Sequence, residues 1–258
     1  MAENSSQGPG GFLPPSLPSP TPTYYSSSST ASNLPHPRAN PLRHGSAKED
    51  AARRYLEARL LNVSRRYAKK FQPMEEGDEV KGYVSMSEVA KDLGDIVDVV
   101  WLSGTPSLQI PYLLNIALAV NTYISAFPAA PRATFALIRK LDHAFSSLLK
   151  GEDSITGEIL PGFSGGKRAG LTKTDMVRCK GLVDSARVLV VDVMATEIED
   201  DTEDESGMET ETEGESSTWG DVGDGKWEME IAKVYEMTIV ELGALLDAGE
   251  AFAVEAST

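Results

Sequence analysis

Leu108 to Phe127 reads LQIPYLLNIALAVNTYISAF. The run carries no charge and is apolar nearly all the way round, so as a helix it belongs either at the centre of a globular core or inside a membrane. A bilayer takes about 20 predominantly apolar residues, and this run barely reaches that while Gln109, Asn115 and Asn121 interrupt it. Pro111 sits near its start, where a helix tolerates proline best. The stretch therefore reads as a buried central helix, and no membrane association is expected.

The flanks repeat the helical signal. Upstream, Ser85-Met-Ser-Glu88 is a capping box, and Val89, Leu93, Ile96, Val100 and Trp101 follow as one apolar stripe closed by Ser103-Gly104. Further upstream, Ser46-Ala-Lys-Glu49 opens a helix with Leu56, Leu60, Val63, Tyr67 and Phe71 on one face. Downstream, Pro131 suits a first helical position, Phe135, Ile138, Leu141, Phe145 and Leu148 line a face, and Gly151 suits a C-terminal cap. Thr172 with Asp175 starts a fifth helix; within it Val188–Val193, VLVVDV, is β-branched and fits either helix or a short strand. Trp227, Ile231, Val234, Thr238, Leu242 and Leu245 mark a last amphipathic helix. Helices joined by Pro/Gly turns, with no convincing strand pair, predict an all-α fold: a helical bundle of about five to six helices.

Composition divides the chain. Residues 1–45 read as a disordered Ser/Pro-rich tail, because such composition buries too little apolar surface to offset its ordering entropy. Residues 46–196 form the expected bundle domain, 197–224 an expected acidic disordered linker, and 225–252 the C-terminal helix packing on the bundle. The formal charge is -15, but Glu197 to Glu215 holds 11 Asp/Glu and no Lys/Arg, which leaves -4 for everything else. The acidity is local. Cys179 stands alone, which excludes an intramolecular disulfide and a zinc site built on several cysteines. The N-terminus shows no basic segment followed by an apolar one, so the nucleus or cytoplasm is the expected compartment.

Catalytic motifs fail their context tests. Gly162-Phe-Ser164-Gly-Gly166 fits the nucleophile pattern, but Pro161 precedes it, no strand leads in, and His36, His44 and His143 all lie upstream. The same loop has one residue too few for a phosphate loop before Gly166-Lys167, although Lys167, Arg168 and Lys173 are cations suited to an anion. His143 reads as a partly exposed helical histidine, since no ligand type sits four residues away. Cys179, between Arg178 and Lys180, reads as a partly buried structural thiol; the flanking charges are the argument for reactivity. No catalytic residue, cofactor or metal is expected, and the chain reads as a non-enzyme.

Charge marks the interaction candidates. From Ser46 to Gln72 there are eight Lys/Arg against three Asp/Glu, and Arg65, Arg66, Lys69 and Lys70 cluster at the end of that helix. They read either as a solvated face or as a contact for a polyanion or an acidic protein partner. Ser19 and Thr21 precede prolines, and Thr202, Thr210 and Thr212 have acids three residues on, so all five are candidate phosphorylation sites.

The segments SGTPSLQIPYLLNIALAV (103–120), RRYAKKF (65–71) and ATFALIRKLDHAFSSLL (133–149) resemble a family of uncharacterised proteins from filamentous fungi. The resemblance covers roughly residues 35 to 194. Some members carry a label naming the meiotic recombinase of the RecA class, which requires a phosphate loop followed by a parallel sheet; this chain shows neither. The family implies no catalytic residues. The expected function is a non-enzymatic helical interaction module for an unidentified protein partner. The alternative is a nucleic-acid-associated accessory factor, in meiotic recombination, using the basic first helix.

Overall fold

The computed structural model describes residues 33–72, 80–164, 170–195 and 224–255. These build an all-α bundle: α1 Ala47–Lys69, α2 Met86–Leu102, α3 Pro106–Tyr123, a 3-10 turn Ile124–Ala126, α4 Pro131–Lys150, α5 Lys173–Met194, α6 Asp224–Ala232 and α7 Glu236–Glu255. The β-branched VLVVDV lies inside α5, and among the described residues no strand forms. None of the described helices is long and apolar enough to cross a membrane.

The predicted caps form, with two departures. Ser46 Oγ accepts the Glu49 amide at 3.2 Å, but the Glu49 carboxylate accepts Gly45 N at 2.7 Å, while Ser46 N donates to Arg43 O. Ser85 Oγ accepts the Glu88 amide at 3.3 Å, yet the Glu88 carboxylate turns away to Arg66 on α1. Thr172 and Asp175 complete a reciprocal box on α5. Gly151 ends α4 at φ 81°; a Cβ there meets the Phe163 ring at 2.7 Å, so both the left-handed backbone and the close contact require glycine.

Helix α3 packs against α2, α4 and α5, with Leu108, Leu113, Ile116 and Val120 fully enclosed. Its polar interruptions are used rather than merely tolerated. Gln109 Nε2 donates to Trp101 O at 3.0 Å, and Asn121 Nδ2 donates to Leu182 O at 2.8 Å. Ser107, Pro111, Asn115, Leu118 and Thr122 form one exposed stripe, so α3 is not enclosed on every side.

The most enclosed segment lies on α4 instead. Residues 141–149 are buried without a break, although Asp142, His143, Ser146 and Ser147 are among them. Buried polar groups need partners, and each of these has one. Asp142 reaches across to α7: its carboxylate accepts Thr238 N at 2.8 Å, Met237 N at 3.3 Å and the Thr238 hydroxyl at 2.6 Å. It thus caps α7 from another helix. Burial raises the Asp142 pKa against the pull of these donors.

The C-terminal segment, expected as one helix over 225–252, is two. Lys233–Tyr235 breaks it, and Tyr235 sits at φ 54°, a left-handed conformation that a bulky residue seldom adopts. The corner is held by Arg187 Nη1 donating to Val234 O at 3.0 Å and by burial of the Tyr235 ring against Phe145. Arg139–Glu230 and Lys150–Glu241 pair α4 with α6 and α7, and Trp227 stacks on Phe135.

Two substitutions test this packing. Ile116→Asp buries an unpaired charge and should cost about 3 kcal/mol or more in denaturant unfolding; an unchanged midpoint would show that α3 is not core. Asp142→Ala strands three donors inside the protein and should cost about 1–3 kcal/mol. Asp142→Asn keeps an acceptor oxygen and should lose less. Equal stability for Asp142→Ala and the parent chain would remove the cross-helix cap.

Candidate interaction surface

The basic end of α1 does not present its four cations alike. Arg66 points at α2: Nη2 donates to Glu88 Oε2 at 2.6 Å, Nη1 to Asp92 Oδ2 at 2.8 Å, and Nε to Lys81 O at 3.2 Å. Its guanidinium also lies 3.9 Å from the centroid of the Tyr83 ring. Tyr83 donates its hydroxyl to Asp92 Oδ2 at 2.7 Å; burial first, and then that bond, push its phenol pKa up. Arg59 approaches Asp92 Oδ1 at 3.9 Å. Arg66 is therefore a clamp between helices. Gly82 makes the clamp possible, because a Cβ there meets Lys69 C at 2.9 Å where the chain returns past α1.

Lys70 Nζ lies 3.9 Å over the Phe127 ring, and Tyr67 stacks on Tyr123 with centroids 4.0 Å apart. Tyr67 thus joins the core edge, as its place in the apolar stripe implies, whereas Phe71 from the same stripe is exposed. Lys69 is half-buried, and Arg65 faces solvent.

A second feature lies in residues 33–45, which composition assigns to the Ser/Pro-rich tail. Residues ahead of α1 run extended across the α2–α3 turn: Arg38 N donates to Leu102 O at 3.4 Å and Leu42 N to Thr105 Oγ1 at 2.8 Å. Gly104, at φ 54°, lies under this strap, where a Cβ meets Arg38 Cγ at 3.0 Å and Pro161 Cβ at 3.2 Å. His36 Nε2 lies 3.2 Å from Glu158 Oε2 on the loop after α4. Between strap and loop is a cavity of about 300 Å³.

His143 opens onto that cavity. It is 5 % exposed rather than partly exposed, its Nε2 lies 3.1 Å from Asp153 Oδ1, and its ring is 5.8 Å from Trp101. Its partner comes from a loop ten residues on, outside the helix spacing that sequence reasoning tests. Burial pushes the Asp153 carboxyl up, but the amides of Thr156 and Ile155 and the His143 ring outweigh it and hold the pKa below the usual range.

The other singled-out residues do not converge. Cys179 is fully buried, and burial, with the charge of Asp142 behind it, pushes its thiol up to about 12; Arg178 and Lys180 stay at the surface. Ser164 is exposed on a turn with no leading strand, and Lys173 is exposed on α5. Lys167 and Arg168 lie outside the described residues, as do Ser19, Thr21, Thr202, Thr210 and Thr212. Among the described residues, no group of three or more His, Cys, Asp or Glu is placed to hold a metal ion.

The TFB6 family, described as subunit 11 of the general transcription factor TFIIH, matches residues 82–243. The match spans more than half the chain, and the chain belongs to this family. A Schizosaccharomyces pombe protein described as uncharacterised is 29% identical over 145 residues, which cover 54% of this chain and 75% of that protein. No solved structure matches. The family match begins at the Arg66 clamp's receiving side: Tyr83, Glu88 and Asp92 lie within it, while the strap and α1 precede it.

The clamp predicts a contrast between neighbours. Arg66→Ala leaves Glu88 and Asp92 without their shared cation and should cost about 2 kcal/mol, between the values of exposed and buried pairs. Arg65→Ala should stay within about 0.5 kcal/mol. Urea unfolding of the two variants checks this, and equal losses would contradict the assignment.

Proposed function

We propose that this TFB6-family chain is a non-catalytic accessory subunit that works in the nucleus by binding other proteins, within or alongside TFIIH. The observation that carries the reading is the family match from α2 into the first part of α7, which makes the core a member of a family described as a TFIIH subunit. The physical features agree with it. Asp142 and Gln109 in the core are engaged in structural bonds. The buried thiol is held protonated, and the Gly162 loop lacks the strand and following histidine of a hydrolase.

The nucleic-acid alternative, including a part in meiotic recombination, has less charge to draw on. Arg66 spends its donors on α2 and Lys70 lies on an aromatic ring, which takes up two of the four clustered cations. Backbone recognition of DNA works by neutralising several phosphates at once, so losing two cations of four weakens it steeply.

One experiment separates the readings. The full-length protein, tagged in its native host, is recovered from nuclear extract treated with nuclease, and co-purifying proteins are identified. TFIIH subunits in stoichiometric amounts are the expected result. Recovery of recombination proteins with no TFIIH subunit would overturn it in favour of the alternative. Recovery without any partner, together with salt-sensitive binding to a random duplex, would also overturn it.

A further inference from the structure

The cavity between the strap and the loop after α4 has the build of a side-chain receptor. Its floor is the Trp101 indole beside the His143 ring, both buried. Its walls are flat or branched apolar groups, among them Pro35, Pro37, Leu160 and Pro161. Ile155 and Ile159 also line it, and they are 52% and 69% exposed. Single exposed apolar residues are ordinary, but two beside one apolar cavity make a continuous patch.

The loop holds these isoleucines out by construction. Asp153 N donates to Glu158 O at 2.7 Å, Leu160 N to Gly151 O at 3.0 Å, and Asp153 Oδ1 caps the amides of Ile155 and Thr156. Asp153 is itself tied to His143. Ordering a loop in order to show isoleucine to water gains nothing for folding. It pre-organises a surface for binding, which removes an entropy cost from association.

Charge narrows the occupant. Four of the charged or titratable side chains lining the cavity are matched in pairs, His36 with Glu158 and His143 with Asp153. Arg38 lines it too, is exposed, and forms no ion pair among the described residues. The rings of Trp101, His143, Pro35, Pro37 and Pro161 are among its lining, and a ring-lined space suits a large flat side chain. Aromatic side chains bury about 150–250 Å² each and dominate interface anchors.

We propose that this cavity receives an aromatic side chain of a partner protein, carried on an acidic segment whose carboxylate pairs with Arg38. The proposal rests on the reading of the chain as an interaction subunit and names the surface and the partner chemistry. It also assigns the strap a function: by forming one wall, residues ahead of the family core complete a receptor that the core alone lacks.

The test uses the full-length protein and two probes. The first is a short labelled peptide of Asp, Glu and Ser around one tryptophan, read by fluorescence anisotropy; the second is N-acetyl-tryptophanamide, read by methyl NMR of Ile155 and Ile159. The tryptophan peptide should bind, with loss of about tenfold or more in affinity when its tryptophan is alanine. Ile159→Glu should weaken it similarly, and Arg38→Glu should reverse the preference toward a peptide with Lys in place of its acids. Both positions are exposed, so thermal unfolding of the variants should match the parent. N-acetyl-tryptophanamide should shift both isoleucine methyls. Absence of binding by the peptide and of methyl shifts overturns the proposal, as does peptide binding indifferent to Ile159→Glu and Arg38→Glu. Methyl shifts with the amide but no contribution from peptide acids overturn the acidic-partner assignment. Co-purification of TFIIH subunits is read on the parent protein, so failure at the cavity is distinguishable from failure of the subunit reading.

Discussion

The need to satisfy polar groups inside the bundle, concentrated on α4, organises the rest of the structure. Residues 141–149 sit wholly inside, and four of them carry polar side chains. An unmatched polar group there costs as much as several buried methylenes contribute. Asp142 therefore recruits the first turn of α7. His143 recruits Asp153, and Ser146 and Ser147 bond Ser154 through its hydroxyl and its amide. One row of side chains thus positions a helix about 95 residues downstream and shapes the loop that begins at the end of α4. The strain of Tyr235 in a left-handed conformation is held by this arrangement, since the corner must deliver the α7 amides to Asp142.

A smaller constraint ties on the N-terminal part. Helix α1 is mostly polar, with Leu56 and Val63 as its fully buried apolar side chains. Apolar burial alone holds such a helix weakly. Arg66 supplements it with a bidentate reach to Glu88 and Asp92, and Tyr83 and Gly82 shape the approach. The same residue type that suggests a polyanion site in the sequence is, in the fold, the bolt between α1 and the family core. Arg65 and Arg66, adjacent in sequence, point to opposite fates because helical residues one apart face about 100° away from each other.

The described surface carries the groups that these bonds leave over. The family to which the chain belongs is described as a transcription-factor subunit. Among the groups at its surface are Arg65 on α1, and the isoleucines and Arg38 around the cavity between strap and loop.

Periodicity, caps and breakers made the all-α class, the starts of α1, α2 and α5, the end of α4 at Gly151 and the burial of Leu113, Ile116 and Val120 legible in local sequence. They were legible because each rests on contacts within a few residues along the chain. The break at Tyr235, the enclosure of α4 and the inward turn of Arg66 were not. Each depends on a partner far away in sequence: Asp142 on Thr238, His143 on a loop aspartate, and Arg66 on acids of the next helix. The sequence by itself determined which segments are helical and which faces are apolar, because those are local properties. Only the tertiary structure decided which polar side chains go inside, because the cost of burying a charge is settled by whatever partner the fold brings to it.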